Sequence, residues 1–365
     1  MDSVDFDTLE ARAREILDPG AYAFAACGAD DAVTLRDNIA AWRAIRLRPR
    51  MLRGVAAVDT ATTLLGAPVA TPVMLAPTGR HRLYHPDGER ATARGAARAG
   101  AAFVLATNST VTIEDVASER RGAPHWFQLY MTPERSRTEA LVDRAAAAGF
   151  GAIVLTVDQP VPGHSPLAAR NPITPSPDIR HVNLPGAPIA RTAYDPSVQN
   201  VVAFPTAFAD LEWLVARSAL PIVVKGILRG DDAARAFGCG ARGIIVSNHG
   251  GRHLDTAVAT ASVLAEVVAA VGAHSSGRSA EIYVDGGIRR GTDIVKALAL
   301  GARAILVGRP MLWGLATGGA EGVKEILDHL RAELARAMAL CGVATLAGIG
   351  PDLLAPPLPV PKIAD

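Results

Sequence analysis

Short apolar runs recur along the chain and alternate with alanine-rich segments in which apolar residues follow a helical period. From residue 72 onward there are eight such runs of four or five residues, each with a helical segment nearby. Runs that are apolar at every position are typical of parallel strands buried on both faces of a sheet. The predicted strands are 72–76, 102–105, 125–129, 152–156, 221–224, 243–246, 281–284 and 304–307, and the clearest predicted helices among them are 89–99, 113–118, 134–148 and 231–237.

Eight strand–helix units indicate one α/β domain over residues 1–365, a (β/α)8 TIM barrel, rather than an open doubly wound sheet. Residues 1–71 contain small predicted helices, clearest at 7–17 and 31–42, and we expect a short N-terminal helical cap at one end of the barrel. The proline-rich segment 159–205 follows the fourth strand and predicts a long lid-like loop. A flexible insertion without a lid function is the alternative.

The charge balance and the cysteines narrow the possible partners. Lys and Arg number 37 against 36 Asp and Glu, so electrostatics give no reason to expect nucleic acid or an acidic membrane. No apolar run is long enough to span a bilayer and the acidic N-terminus is unlike a secretory signal, so we expect a cytoplasmic protein. Cys27, Cys239 and Cys341 lie far apart without CxxC spacing, which indicates neither a disulfide framework nor a metal site.

Polar and titratable residues follow seven of the eight predicted strands. Active sites of TIM barrels lie at the C-terminal ends of the strands, so these side chains are expected to converge on one mouth. A single histidine at a strand end is most often structural, but this convergence predicts a functional site. In strand order the residues are Ala76, Pro77, Thr78 and Gly79; Gln128 and Tyr130; Thr156 and Asp158; Lys225; Ser247, Asn248, His249 and Arg252; Asp285, Gly286, Gly287 and Arg289; and Gly308 and Arg309.

Two segments that contain glycine and arginine follow the last two strands, DGGIRRGTD at 285–293 and VGRP at 307–310. Glycines let backbone N–H groups approach an anion, a helix N-terminus adds a favourable dipole, and phosphate sites after strands seven and eight recur in this fold. Arg289 and Arg309 would add charge and forked hydrogen bonds. Ordinary glycine turns are the alternative, but the pattern favours a ligand that carries a phosphate.

Together these motifs resemble the FMN-dependent 2-hydroxy acid oxidase and dehydrogenase family, which includes glycolate oxidase, lactate oxidase and mandelate dehydrogenase. The resemblance runs from the N-terminal helices to about residue 345 and depends most on SNHGGRHLD at 247–255, supported in order by APTG, QLY, TVD, VKG, DGGIRRGTD and GRP. It implies an FMN-dependent oxidoreductase that converts a 2-hydroxy acid, aromatic or mandelate-like acids among the candidates, to the 2-oxo acid. It also implies a homo-oligomer, tetramer or octamer, whose only other partner is a small-molecule substrate.

The resemblance also implies a role for each residue of the site. His249 would be the base, taking the hydroxyl proton as the α-hydrogen leaves for flavin N5, or taking the α-proton itself. Asp158 would pair with that imidazole, while Tyr130 and Arg252 would bind the substrate. Lys225 would lie beside flavin N1 and the C2 carbonyl. The other implied cofactor residues are Ala76, Pro77, Thr78 and Gly79; Gln128, Thr156 and Ser247 at the ring edge; Asp285 at the ribityl chain; and Gly286, Gly287, Arg289, Gly308 and Arg309 around the phosphate.

Two positions depart from the family pattern at the implied substrate site. Phe24 stands where relatives usually present a tyrosine for the substrate carboxylate, and 163–165 reads Gly-His-Ser where relatives read GRR. In one interpretation Arg252 still holds a carboxylate, helped by His164 or Arg170. In the other, the same flavin chemistry acts on a non-standard α-functionalised substrate of a tailoring or maturation pathway.

Two further hypotheses from other functional classes stay open on the sequence. The first is a non-redox barrel that binds a phosphorylated metabolite, because glycine turns of this kind would serve any phosphate. Lys225, His249 and Asp158 together argue against it. The second is a catalytically idle flavoprotein that acts as a binding module, which the missing carboxylate ligands suggest.

Overall fold

A computed structural model of the chain describes residues 4–174, 176, 179–184, 204–274 and 280–356. Eight parallel strands close into a barrel in which the last strand pairs with the first, and this confirms the predicted (β/α)8 TIM barrel. A separate antiparallel hairpin precedes it. The strands are β1 Thr62–Leu64 and β2 Ala67–Val69 in the hairpin, and β3 Val73–Leu75, β4 Phe103–Ala106, β5 His125–Leu129, β6 Ile153–Thr156, β7 Ile222–Ile227, β8 Gly243–Val246, β9 Glu281–Val284 and β10 Ala304–Val307 in the barrel.

Helices surround the barrel strands and also precede and follow them. Of the helices in the described ranges, none is long and apolar enough to cross a membrane. The last of them is interrupted at Gly319, whose φ is 55°. The helices are α1 Phe6–Ile16, α2 Pro19–Ala26, α3 Val33–Ala44, α4 Glu89–Ala99, α5 Ile113–Ala117, α6 Arg135–Ala147, α7 Pro166–Arg170, α8 Phe208–Arg217, α9 Gly230–Gly238, α10 Thr260–His274, α11 Gly291–Ala299 and α12 Arg309–Leu340.

The barrel strands are mostly apolar on both faces because the two faces belong to two separate cores. Met74, Trp126 and Tyr283 belong to one core, which draws on every second strand residue and fills the barrel interior. Leu75 and Phe127 belong to the other, which lies between the strands and the surrounding helices. Burial of both faces removes the apolar–polar alternation of a half-exposed strand, and this made the runs recognisable in the sequence.

The predicted strands agree with the observed ones within one residue at both ends, except for the fifth. That strand was predicted at 221–224 but extends to Ile227, with an irregular register between Lys225 and Ile227. Lys225 pairs with Thr156 on β6 and is buried. The prediction stopped too early because a lysine ordinarily ends a buried strand, whereas here nearby carboxylates compensate its charge.

Residues 1–71 contain the predicted helices, α1 and α3, and also a hairpin that the sequence did not predict. Leu64 on β1 is fully buried in the core of the barrel interior, and the amide of Leu65 donates to the carboxylate of Glu281, the first residue of β9. The hairpin therefore closes the N-terminal end of the barrel. Helix α2 lies at the opposite end, because its Phe24 lines the cavity described below.

The predicted lid-like loop at 159–205 lies partly outside the described residues. Its described part includes helix α7, which begins after Ser165, whose hydroxyl accepts from the amide of Ala168. Gly163 packs closely on the SNHGGRHLD segment, since a Cβ at this position would lie 2.2 Å from the carbonyl oxygen of Arg252. The start of the loop is thus held against the segment that carries His249.

Candidate active site

A cavity opens at the C-terminal ends of the barrel strands and encloses about 1430 Å³ measured out to its solvent mouth. Most of the residues that the sequence predicted for the site line this cavity. They are Phe24, Ala76, Pro77, Thr78, Gly79, Gln128, Tyr130, Lys225, His249, Arg252, Asp285, Gly286, Gly287, Arg289, Gly308 and Arg309. Thr156, Asp158 and Ser247 are largely buried residues outside this lining.

His249 is presented to the cavity by an unusual backbone conformation. Its φ is 55°, in the left-handed region that few residues other than glycine adopt, and its amide donates to the hydroxyl of Ser247 at 3.1 Å. Its Nδ1 lies 2.8 Å from the carboxylate of Asp158. An ionised carboxylate can only accept a hydrogen bond, so Nδ1 carries the proton and Nε2 is left as the basic nitrogen.

Lys225 connects the two carboxylates of the site. Its Nζ donates to the hydroxyl of Ser247 at 2.9 Å and lies 3.6 Å from both Asp158 and Asp285. The next residue, Gly226, has a φ of 110°, and a Cβ there would lie 2.5 Å from the Cβ of Asp158. The glycine of the VKG motif is therefore required by the close approach of Asp158 to β7.

Burial and charge together set the protonation states of these groups. Burial lowers the pKa of His249, and the nearby carboxylate of Asp158 reverses that only in part. Burial alone would raise the pKa of Asp158, but the charges of His249 and Lys225 lower it overall. Burial would lower the pKa of Lys225, but Asp158 and Asp285 raise it overall. Burial, with the charge of Asp158, raises the pKa of Tyr130. At neutral pH the site thus holds a neutral imidazole, a carboxylate, an ammonium and a phenol.

Several arginines gather at one side of the cavity. Nη1 of Arg252 donates to the carbonyl of Phe24 at 2.7 Å, and Nε of Arg309 donates to the carbonyl of Ala25 at 3.0 Å. Burial, and then the charges of Arg252 and Arg289, lower the pKa of Arg309 to about 9. A buried guanidinium whose pKa is lowered by neighbouring positive charges favours the binding of an anionic ligand.

Two glycines around the predicted phosphate site are required for different physical reasons. At Gly287, whose φ is 81°, a Cβ would lie 2.2 Å from the carbonyl oxygen of Asn38 on α3. Helix α3 therefore requires this glycine, and the predicted role of Gly287 at the phosphate stays a prediction. At Gly308 the nearest atoms to a Cβ are side chains of Thr78 at 3.6 Å and Ala76 at 3.9 Å, both of which line the cavity. Gly308 is thus the position where a missing side chain leaves room for a ligand.

The residues of the cavity fit FMN, because several of their polar atoms have no other use. Nε2 of Gln128 and Oδ1 of Asp285, both in the lining, and Oγ1 of Thr156, on the neighbouring strand β6, are buried and have no hydrogen-bond partner among the described residues. Buried polar atoms are nearly always paired, so unpaired ones beside a cavity indicate a ligand. The carbonyl and N–H groups of a flavin ring edge and the hydroxyls of a ribityl chain would pair with these atoms, and the arginines suit the phosphate.

The structure does not bring the suggested carboxylate helpers into the cavity. The ring of His164 is exposed and lies 3.0 Å from the carboxylate of Asp30, and Arg170 is exposed on α7. Neither residue is part of the cavity lining, so their suggested help to Arg252 is wrong. These side chains point elsewhere because Gly163 and the N-terminal cap of α7 fix the direction of the loop.

Among the lining residues that sequence reasoning missed, three have titratable side chains. Arg80 and Tyr84 lie just after the APTG motif, and His253 lies inside SNHGGRHLD. The rings of His253 and His249 are 4.3 Å apart in an edge-to-face arrangement. Their places next to recognised motifs were the available signal, but the direction of each side chain could not be inferred from the sequence.

Comparisons with known proteins agree with this geometry. The family model described as FMN-dependent dehydrogenase matches residues 13–356, which include every residue of the cavity lining. An L-lactate oxidase from Nostoc sp. is 46% identical over 356 residues, covering 94% of this chain and 96% of the relative. A 2-hydroxyacid oxidase 2 from Mus musculus is 42% identical over 345 residues, with shares of 94% and 96%. A solved mandelate oxidase with (S)-2-phenylpropionate has a TM-score of 0.86 at 39% identity, covering 96% of this chain and 98% of that one.

Proposed function

The chain belongs to the FMN-dependent dehydrogenase family, and from that premise we propose that it oxidises a 2-hydroxy acid to the corresponding 2-oxo acid. Its cofactor is FMN, and its relatives are 2-hydroxy acid oxidases, so the chain is an FMN-dependent oxidoreductase of that family. The hypothesis of a non-redox barrel is therefore wrong. The idle flavoprotein remains an alternative that the experiment below addresses.

One observation carries the proposal more than any other. A neutral imidazole with a carboxylate 2.8 Å from its Nδ1 lines the same cavity as a guanidinium, Arg252. A 2-hydroxy acid needs a base for a proton and a cation for its carboxylate, and this arrangement supplies both. The exposed His164 and Arg170 are not required for it.

Each residue of the site has a role in this proposed reaction. Arg252 holds the carboxylate and Tyr130, which stays protonated, donates to an oxygen of the substrate. Nε2 of His249 takes a proton from the hydroxyl or from the α-carbon, and Asp158 stabilises the imidazolium that forms. FMN, when bound, would accept the two electrons and the second hydrogen that the substrate loses. Gln128, Thr156, Asp285, Lys225, Arg289 and Arg309 would hold the cofactor.

We expect the FMN-loaded protein to be bleached anaerobically by at least one 2-hydroxy acid in a panel that contains both enantiomers of lactate and mandelate. The expected result follows from the paired imidazole and the positive cavity. Stopped-flow absorbance of the flavin gives a rate for each acid, and the carboxamide of each acid is the matched control because it keeps the hydroxyl and the α-hydrogen but lacks the negative charge.

The carboxamides separate the substrate alternatives. Reduction that is much slower with the amide than with the acid supports a 2-hydroxy acid substrate, since Arg252 then contributes through charge. Equal or faster reduction by the amides would favour the non-standard α-functionalised substrate. A protein that retains FMN but is reduced by none of these compounds would contradict the proposal and favour an idle flavoprotein or a different substrate.

The rate should depend on pH through His249. Since burial lowers the pKa of this imidazole below its ordinary 6.5, kcat/KM should fall at acid pH along a limb whose midpoint lies below 6.5. Above that midpoint the profile should be level towards neutral pH, because Asp158 stays ionised and Lys225 stays protonated. A pH series with the best acid of the panel gives the midpoint, and a midpoint above 6.5 would contradict the lowered pKa of His249.

Some predictions from the sequence are not part of this argument. The cytoplasmic location and the tetramer or octamer stay predictions, and light scattering after size-exclusion chromatography would measure the second. The lid role of residues 159–205 also stays a prediction. Its described start, around Gly163, lies against the carbonyl of Arg252.

A further inference from the structure

Tyr84 lies in a rigid turn at the edge of the cavity. It follows the 3-10 turn His81–Leu83, and its amide donates to the carbonyl of His81 at 2.9 Å. The carboxylate of Glu89 fixes this turn by accepting from the amides of His81 at 3.0 Å and Thr110 at 2.9 Å. The ring of Tyr84 therefore has a fixed place, and the residue lines the cavity.

The hydroxyl of Tyr84 has no partner in the described part of the chain. The residue is only 6% exposed, and its Oη is a buried atom without a hydrogen bond. A buried phenol normally finds an acceptor, because leaving the group unpaired costs free energy. An unpaired donor in a cavity wall is explained when a ligand supplies the acceptor.

Several cations line the same cavity as Tyr84. The guanidinium carbons of Arg80 and Arg252 lie 5.0 and 5.1 Å from the ring centroid of Phe24. Burial raises the pKa of Tyr84 in spite of the charges of Arg252 and Arg80, so the phenol stays protonated and can donate. Among the lining residues the cations are Arg80, Lys225, Arg252, Arg289 and Arg309, and the acid is Asp285.

Arg252 keeps part of its hydrogen-bonding capacity for a ligand. Its bonds to described residues, which include the carbonyls of Phe24 and Ala25, all come from Nη1. A guanidinium has donors on Nη2 and Nε as well. The ring of Phe24 faces the guanidinium groups of Arg80 and Arg252 but has no polar atom. A second side-chain donor for a carboxylate therefore has to come from another residue of the cavity wall.

We propose that the hydroxyl of Tyr84 donates to the carboxylate of the substrate beside Arg252, and so supplies the hydrogen bond that Phe24 cannot make. This inference rests on the proposed function, because it assigns the carboxylate site of a 2-hydroxy acid oxidase. Tyr84 is then a specificity-determining residue that selects acids over uncharged alcohols and amides.

The experiment compares Tyr84→Phe with the wild-type protein, both loaded with FMN. Oxalate, a carboxylate without an α-hydrogen, is titrated in and its Kd is read from the change in flavin absorbance. We expect about a 10- to 100-fold weaker Kd in the variant, the range for loss of one hydrogen bond to a charged group. The KM of the best 2-hydroxy acid should rise similarly while kcat changes little, since the interaction is already present in the bound substrate.

A matched control is Tyr22→Phe, which removes a hydroxyl that donates to Glu10 and is not part of the cavity lining. Oxalate affinity in this control should equal that of the wild type. Thermal unfolding without oxalate gives a second test: removing an unpaired hydroxyl should leave the melting temperature of Tyr84→Phe unchanged or higher.

Three results would overturn the inference. They are an unchanged oxalate Kd in Tyr84→Phe, loss of FMN from this variant, which would assign the hydroxyl to the cofactor, and a clearly lower melting temperature, which would show a partner within the protein. Failure of the proposed function looks different. In that case no 2-hydroxy acid bleaches the wild-type flavin, whereas the oxalate titration still reports whether Tyr84 binds a carboxylate.

Discussion

Replacing His249 with alanine is expected to lower the anaerobic rate of FMN reduction by substrate by roughly 100- to 10,000-fold, the usual contribution of a positioned general base. The variant loses Nε2, the only basic nitrogen that the Asp158 pairing leaves on this ring. Asp158 keeps its ion pair with Lys225 at 3.6 Å, so the wall of the cavity should persist and FMN should stay bound. Stopped-flow absorbance measures the rate, and the flavin-to-protein absorbance ratio measures retention of the cofactor.

The backbone at residue 249 requires a second variant. Its φ of 55° is strained for alanine, so a loss in His249→Ala could reflect a moved loop. Asparagine adopts this conformation more readily, and His249→Asn should be as inactive as the alanine variant because it also lacks a base. His164→Ala is the matched control, since that imidazole also pairs with an aspartate but is exposed and outside the cavity. Near wild-type reduction in His249→Asn would refute the assigned role.

Asp158→Asn is expected to lower the same rate by roughly 100- to 10,000-fold, a range that covers general-base catalysis and the loss of histidine orientation in triad enzymes. Oδ2 of Asp158 faces Lys225, and an asparagine will keep its oxygen on that cation. Its NH2 group then faces Nδ1 of His249 and donates to it. This forces the proton of the imidazole onto Nε2, so the ring can no longer accept a proton from the substrate.

The variant pair Asp158→Asn and Asp30→Asn makes this test specific. Both aspartates lie within hydrogen-bond distance of a histidine, at 2.8 and 3.0 Å, but only the first pair is beside the cavity. Asp30→Asn should keep the wild-type rate. FMN content must be measured in Asp158→Asn, because Lys225 loses one of its two carboxylates. If that variant retains FMN and reduces it at the wild-type rate, the ionised partner of His249 has no part in the reaction.

Much of the site was predictable because a parallel barrel converts sequence order into proximity. Gln128, Lys225, His249 and Asp285 each follow or end an apolar run, and closing the barrel brings the C-terminal ends of all the strands to one mouth. No knowledge of individual contacts was needed for this step. The pattern could not show why each residue is needed at its position. The motif suggested that Gly287 serves an anion, and the structure shows that the close approach of α3 also requires a glycine there.

The sequence by itself determined the barrel, the family and the polar strand ends, because these depend on patterns of neighbouring residues that local sterics and burial on both faces impose. Only the tertiary structure decided that residues 62–69 form a hairpin, that Lys225 stays inside a strand, and that Tyr84 rather than His164 lies in the cavity. Each of these depends on groups far apart in the chain, such as Leu65 with Glu281 or Lys225 with Asp158. Buried charges are compensated, and side chains take their final directions, only when elements that are distant in the chain pack together.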